Sequence, residues 1–452
     1  MKNLRLENVV AAVRGDWRGE SSLLRREVSA VTTDSRQLSD GCLFAAIPGE
    51  RVDGHSFIPA AFAGGALAVL AEKMPENPAG PVILVPSTET ALKKLAAFYR
   101  AQLPVTVLGI TGSVGKTTAK EMCAAVLSQR YNTLKTEKNF NNELGVPLTL
   151  FRLREEHELA VVEMGVSDFG EMRRLTEMAQ PDMALYTAIG HAHLENFGDL
   201  AGVLRGKGEM LEGMIGEGPV FACGDDALLA QWDVGKKKKV LFGTGDNCQV
   251  RAENVRSLGL GGTACDVVSD GRRIPVVIPA FGMHMIYAAL GAAAVGLHMG
   301  LTDAEIAAGI AAYAPVGSRS RTAETARCTI VDDCYNANPT SVAAALASLG
   351  QLGGRRVCIL GDMLELGAES EALHFSVGEL AAKTGIEAVY ACGARAKAIF
   401  EGAAAAPISR WFPDRESLIA ALPELIEPGD TVLVKASHSM QFEKIVAALE
   451  AL

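Results

Sequence analysis

The stretch from residue 105 to residue 118 constrains this chain more than any other. A β-branched run at 105–110 passes directly into Thr111-Gly112-Ser113-Val114-Gly115-Lys116-Thr117-Thr118, and a helical pattern with Met122, Val126 and Leu127 on one face follows. Such a turn is a phosphate cradle, because successive backbone N–H groups wrap phosphate oxygens and the helix N-terminus adds a favourable dipole. Lys116 is suited to neutralise the β- and γ-phosphates, and the Thr117 hydroxyl to hold Mg²⁺. We therefore expect ATP to bind at Gly112, Ser113, Val114, Gly115, Lys116, Thr117 and Thr118. The strict spacing is broken once: Ile110 stands where the first glycine belongs, with Gly109 just before it. Motors, switches, kinases and ligases share this loop, so it names a ligand and not a reaction.

The surrounding pattern divides the chain into three segments. Residues 1–103 mix short strands with helices, ending in a helix at 88–102 with Leu92, Leu95, Ala96 and Tyr99 on one side and Pro104 beyond it. Residues 104–314 continue with apolar strands at 159–163, 183–189 and 219–222 between helical patterns, which predicts a parallel sheet covered by helices on both faces. Residues 315–452 repeat the alternation, with strands at 329–332, 356–360, 388–391 and 431–435. The expected fold class is α/β in three domains: a small mixed α/β N-terminal domain, a central P-loop-type parallel sheet, and a C-terminal Rossmann-like domain.

Composition narrows the partners. A net charge of −10 argues against nucleic acid or an anionic membrane surface as a bulk partner, so an anionic substrate must be held by local Lys, Arg and helix N-termini. The basic run at 236–239 reads as a solvated loop. The apolar stretch at 286–297 is too short to span a bilayer and reads as a buried Ala-rich helix, and no secretory h-region follows the first residues. Nine cysteines without a CxxC pair suit a reducing compartment. A soluble, cytoplasmic protein is expected.

Several strings carry a family resemblance. The altered P-loop at 109–118, together with Asn139-Phe140-Asn141-Asn142-Glu143-Leu144-Gly145, Asp332-Asp333-Cys334-Tyr335-Asn336-Ala337-Asn338-Pro339 and Leu360-Gly361-Asp362-Met363-Leu364-Glu365-Leu366-Gly367, resembles the Mur ligase family. Within that family they are most similar to the branch that adds D-alanyl-D-alanine to UDP-N-acetylmuramoyl-tripeptide. The resemblance implies a UDP-substrate domain at 1–103, an ATPase domain at 104–314 and a domain at 315–452 that closes over the nucleotide. It implies an ADP-producing, carbon–nitrogen bond-forming ligase of peptidoglycan precursor synthesis, working through an acyl phosphate. Its partners are then the UDP-tripeptide and D-Ala-D-Ala, with a monomer as the working unit.

Site residues follow from the same resemblance. Glu163 ends an apolar strand at the carboxyl edge of the sheet, where ligands bind in such folds, and is similar to the family's Mg²⁺ ligand. His193 matches the metal-binding histidine, with His191 as competitor. Lys207 would by itself read as a solvated helix residue; the resemblance implies a lysine carbamylated by CO₂ that holds a second Mg²⁺. Thr117, Glu163, His193 and Lys207 thus form the implied metal set, and Lys116 and Arg319 complete the catalytic group, with Arg321 close enough to be confused with Arg319. His284, Asp333 and Asn336 are expected to meet the nucleotide. The family string around His284 carries two asparagines where this chain has Met285 and Ala288, and His438 stands where an arginine is usual. Ser35, Arg36, Asn139 and Asn142 are the expected UDP-substrate contacts, although Asp-Ser and Asp-Gly are also ordinary turn sequences. Two rivals stay open: a Mur-type or folylpolyglutamate ligase adding a single amino acid, and a nucleotide-binding scaffold on a decayed ligase fold. The third residue of the tripeptide, L-lysine or meso-diaminopimelate, is left undetermined.

Overall fold

A computed structural model describes residues 1–49 and 52–452. The strands form three sheets, one for each segment. The first has five strands in the order Asp16–Arg18, Val82–Leu84, Ala68–Ala71, Leu43–Ala45, Val31–Thr32, parallel except at the Asp16–Arg18 edge. Helix Thr88–Ala101 leads out of it. Ser87 caps its start by accepting from Thr90 N, and its face of Leu92, Leu95, Ala96 and Tyr99 is buried. Arg100, at the far end, donates to the Ala179 and Gln180 carbonyls and pairs with Asp182, fastening this helix to the central domain.

The central sheet has nine strands, and its heart is parallel: Thr106–Thr111 lies between Leu159–Glu163 and Met183–Tyr186. Those strands are almost wholly buried, as expected of a sheet covered on both faces. The expected parallel sheet is present from Thr133–Lys135 across to Val250–Ser257, and one edge adds to it. Val250–Ser257, Thr263–Ser269 and Arg272–Ile278 extend one edge as an antiparallel meander. The strand Arg272–Ile278 alternates buried Ile274, Val276 and Ile278 with exposed neighbours, which is the period of a half-buried strand. Helix Met285–His298 is the buried Ala-rich element, packed on the P-loop helix Lys116–Leu127. Among the described residues no helix is long and apolar enough to cross a membrane.

The third sheet has six strands in the order Arg321–Glu324, Cys328–Asp332, Asp430–Lys435, Arg356–Gly361, Ala388–Cys392, Ile408–Phe412, with only the Arg321–Glu324 edge antiparallel. Strand order reverses beside Asp430–Lys435, the kind of switch point where α/β sheets open a crevice. Apolar cores lie on both sides of this sheet. All nine cysteines are free and buried.

Candidate active site

The carboxyl ends of the central strands and the switch point of the third sheet face one cleft of about 920 Å³. The strand Thr106–Thr111 delivers the phosphate loop to its floor. Gly112 has φ 147° and a Cβ there would lie 2.0 Å from Thr187 Oγ1, so no larger residue fits; Gly115 has φ 79° at the start of helix Lys116–Leu127. Ser113 fixes the loop by donating its N–H to the Ala188 carbonyl and its hydroxyl to the Gly190 carbonyl. Lys116 Nζ donates to the Gly112 carbonyl at 2.8 Å, curled over the cradle. Burial lowers its pKa, opposed by the charge of Glu163 and reinforced by that of Arg319.

Glu163 is buried beside the loop, as a strand end at this edge must be. Its Oε1 accepts from Thr117 Oγ1 at 3.1 Å and from Asn141 Nδ2 at 2.8 Å. Its Oε2 is buried without a hydrogen-bond partner, with Lys120 Nζ at 4.0 Å. A buried carboxylate oxygen without a hydrogen bond costs free energy, and Lys120, held closer to Glu121 at 2.8 Å, compensates it only at a distance. A hydroxyl and a carboxylate side by side are hard oxygen donors of the kind Mg²⁺ prefers, so this pair fits such an ion. Asn141 was not foreseen as a site residue: it sits in the expected Asn-rich string, but only the fold aims it at Glu163.

His193 lines the cleft and its competitor His191 does not. Its ring Nδ1 meets Glu365 Oε2 of the third domain at 2.6 Å. Lys207 is buried behind the cleft wall in helix Leu200–Gly208, with Nζ 5.9 Å from the centre of the Phe197 ring. Among the described residues no carboxylate lies within ion-pairing distance of it. Burial, aided by the nearby Lys116 charge and opposed by Glu171, pushes its pKa well below the usual lysine value.

From the opposite wall, Arg319 enters the cleft with its guanidinium 3.4 Å from the centre of the Tyr335 ring, and the His438 ring lies tilted against the same tyrosine with ring centres 5.1 Å apart. Arg321 instead pairs with Asp332 and Glu450 and is absent from the lining. Asp333 and Asn336 line the same wall. Asp333 accepts from Ser320 N at 3.0 Å and from Lys435 Nζ at 2.5 Å, and Lys435 also donates to the Asn336 carbonyl. Lys435 is a cleft cation that sequence reasoning passed over as the end of an apolar strand.

The other end of the cleft holds His284, Met285, Tyr287 and Ala288. His284 is buried with Nδ1 unpartnered, and burial lowers its pKa. Tyr287, also unforeseen, donates its hydroxyl proton to Asp225 at 3.1 Å. The same Asp225 carboxylate accepts from Thr244 N, Thr244 Oγ1 and Gly245 N.

The expected UDP-substrate residues separate. Asn139 and Asn142 line the cleft, though the Asn142 side chain also accepts from Leu144 N and Gly145 N at the start of helix Gly145–Leu150. Ser35 and Arg36 lie in the first domain and outside this cleft, with the Arg36 guanidinium held by both oxygens of Asp34. That grip keeps the Asp34 carboxyl well below the usual carboxylate range.

Comparison with known proteins follows this geometry domain by domain. Residues 27–100 match the profile described as Mur ligase family, catalytic domain; 110–296 the Mur ligase middle domain; and 319–438 the Mur ligase, glutamate ligase domain. The UDP-N-acetylmuramoyl-tripeptide–D-alanyl-D-alanine ligase of Escherichia coli (strain K12) is 39% identical, across 100% of this chain and 99% of that protein. The crystal structure of MurF from Acinetobacter baumannii superposes with a TM-score of 0.90 at 30% identity, covering 99% of each chain. The structure of MurF ligase from Thermotoga maritima in complex with ADP superposes with a TM-score of 0.83 at 27% identity, covering 93% of this chain and 97% of that one. With every domain matched in order and a relative aligned from end to end, this chain belongs to the Mur ligase family.

Proposed function

We infer that the protein joins D-alanyl-D-alanine to UDP-N-acetylmuramoyl-tripeptide at the expense of ATP, releasing UDP-N-acetylmuramoyl-pentapeptide, ADP and phosphate. The observation that carries this reading is the cleft itself, which sets Lys116, Arg319 and Lys435 around a phosphate loop beside the unpaired Glu163 oxygen. It is supported by full-length similarity to ligases of that name. Residues 1–103 would hold the UDP end through Ser35 and Arg36, 104–314 the ATP, and 315–452 would cover the nucleotide.

In the first step a tripeptide carboxylate oxygen attacks the γ-phosphorus, and the bond to the β–γ bridging oxygen breaks as ADP leaves. The neutral amine of D-Ala-D-Ala then attacks the acyl carbon, a proton leaves the nitrogen, and the carbon–oxygen bond to phosphate breaks. Two anions must meet in the first step, so the main task of the protein is to supply positive charge and alignment. Lys116 neutralises the terminal phosphates from the floor of the loop. Arg319, stiffened by its stack on Tyr335, brings charge from the opposite wall. Lys435, anchored on Asp333 and the Asn336 carbonyl, sets the turn that faces the nucleotide.

Thr117, Glu163 and His193 would hold Mg²⁺, with Lys207 as a carbamate holding a second ion. Bound there, the metal would neutralise charge building on the transferring phosphoryl group. The depressed pKa of Lys207 favours the neutral amine, whose nitrogen attacks CO₂ and loses a proton. This converts a buried amine, whose charged form burial disfavours, into an anion. At the base end, the Tyr287 proton is committed to Asp225, so its oxygen offers an acceptor to an exocyclic amine such as that of adenine. The reading includes a cytoplasmic location and a monomeric working unit.

Mass spectrometry of a reaction with ATP, UDP-N-acetylmuramoyl-tripeptides ending in L-lysine or meso-diaminopimelate, and D-Ala-D-Ala tests the reading. A UDP-pentapeptide is expected with one of the tripeptides. Phosphate release with single amino acids but not with the dipeptide would overturn it.

A further inference from the structure

The His193–Glu365 contact joins two residues that the backbone holds in an uncommon conformation. His193 has φ 54° and Glu365 φ 63°, and neither is a glycine. Left-handed backbone at a residue with a Cβ is disfavoured and persists only where the surroundings enforce it. Both sides enforce it here. The His193 carbonyl accepts from Asn196 N and Phe197 N, and the Asn196 side chain is tied to the Ser167 carbonyl. Across the cleft, the residues leading to Glu365 are each pinned: Asp362 accepts from Ala396 N at 2.7 Å, Met363 N donates to His374 Nε2 at 2.9 Å, and Leu364 N donates to Ser437 Oγ at 2.9 Å. The buried His374 has its other ring nitrogen against the Ser370 carbonyl at 2.6 Å, so its tautomer is fixed to accept from Met363. Two rigid turns, one from each domain, thus meet with the His193 and Glu365 side chains paired at 2.6 Å.

We propose that Glu365 is a positioning residue for His193: its carboxylate takes the Nδ1 proton in a hydrogen bond and leaves Nε2 as the free nitrogen at the phosphate end of the cleft. Because Glu365 belongs to the third domain, His193 is oriented only while that domain is docked, which ties readiness of the phosphate end to closure. The orientation of a histidine by a carboxylate on its second nitrogen is a general device for fixing tautomer and ring direction. The proposal rests on the assignment of His193 to the phosphate end.

The test combines spectroscopy and kinetics on the full chain. Long-range ¹⁵N–¹H correlation of ¹⁵N-histidine-labelled, metal-free protein, with His193 assigned through His193→Ala, should give the Nδ1–H tautomer in the wild type. That preference should be lost in Glu365→Ala and kept in Glu365→Gln, whose amide oxygen accepts the same bond. In ADP release, Glu365→Ala should lower kcat by about 10- to 100-fold with little change in KM for ATP, and Glu365→Gln should recover most of it. In the His193→Ala background the same change should cost less than about twofold. An unchanged tautomer in Glu365→Ala, full additivity with His193→Ala, or a loss not recovered by Glu365→Gln would overturn the proposal. If the wild type forms no ADP with the tripeptide and dipeptide, the ligase reading fails while the tautomer still decides the role of Glu365.

Discussion

At the phosphate end of the cleft, side chains hold one another: Thr117 and Asn141 converge on Glu163, and Lys116 folds over its own loop. At the end proposed for the base, the residues at 285 and 288 are a methionine and an alanine, and the polar side chains are Tyr287 and Asp225, joined by a hydrogen bond. The contrast follows from what each end must recognise. Stabilising charge on phosphate demands cations and oxygen donors at fixed places, and few residue types can replace them. An aromatic base needs apolar walls and a few aimed polar groups, which many combinations supply. Substitutions should therefore cost most at the first end and trade affinity and selectivity at the second.

The strongest challenge to that contrast is Lys116→Ala, which should lower kcat for ADP formation by about 10³-fold; a loss below tenfold would remove the lysine from the reaction. Next comes Lys207→Ala, with an expected loss of about 10²-fold that added short carboxylic acids partly restore. Full activity without such acids would refute the carbamate. At the base end, Tyr287→Phe deletes one hydrogen-bonding oxygen worth about 1 kcal/mol. KM for ATP should rise several-fold and the preference for ATP over ITP should fall, with kcat held; an unchanged preference would take Tyr287 out of base recognition. As a reference away from the cleft, Thr302→Ala removes the capping box of helix Asp303–Ala311. It should lower stability by about 1 kcal/mol in denaturant unfolding and leave kcat alone.

Much of this was legible in the sequence because single strings carried it. The P-loop, Glu163 at a strand end and the strand–helix alternation are local patterns, and the structure has each of the strands expected from them within a few residues of its place. The meander from Val250–Ser257 to Arg272–Ile278 was not read, since its alternation is interrupted by exposed Asn254 and by Gly259, Gly261 and Gly262 in the turn. Asn141, Lys435, Tyr287 and Glu365 were not singled out for a different reason. Each depends on a partner far away in the chain, as Lys435 does on Asp333 and Glu365 on His193, and sequence spacing carries no trace of such pairs. Arg319 and Arg321 are separated by Ser320, whose backbone turns left-handed at φ 54° just before the strand Arg321–Glu324, so that one side chain enters the cleft and the other pairs with Glu450 on the last helix.

The central claim is that the tripeptide carboxylate is activated by phosphoryl transfer in this cleft. Tripeptide labelled with ¹⁸O in its terminal carboxylate, turned over with ATP and D-Ala-D-Ala, tests it directly by mass spectrometry of the products. The account predicts that one labelled oxygen appears in inorganic phosphate, carried there by the acyl phosphate. Label recovered in AMP, or phosphate free of label, would contradict it.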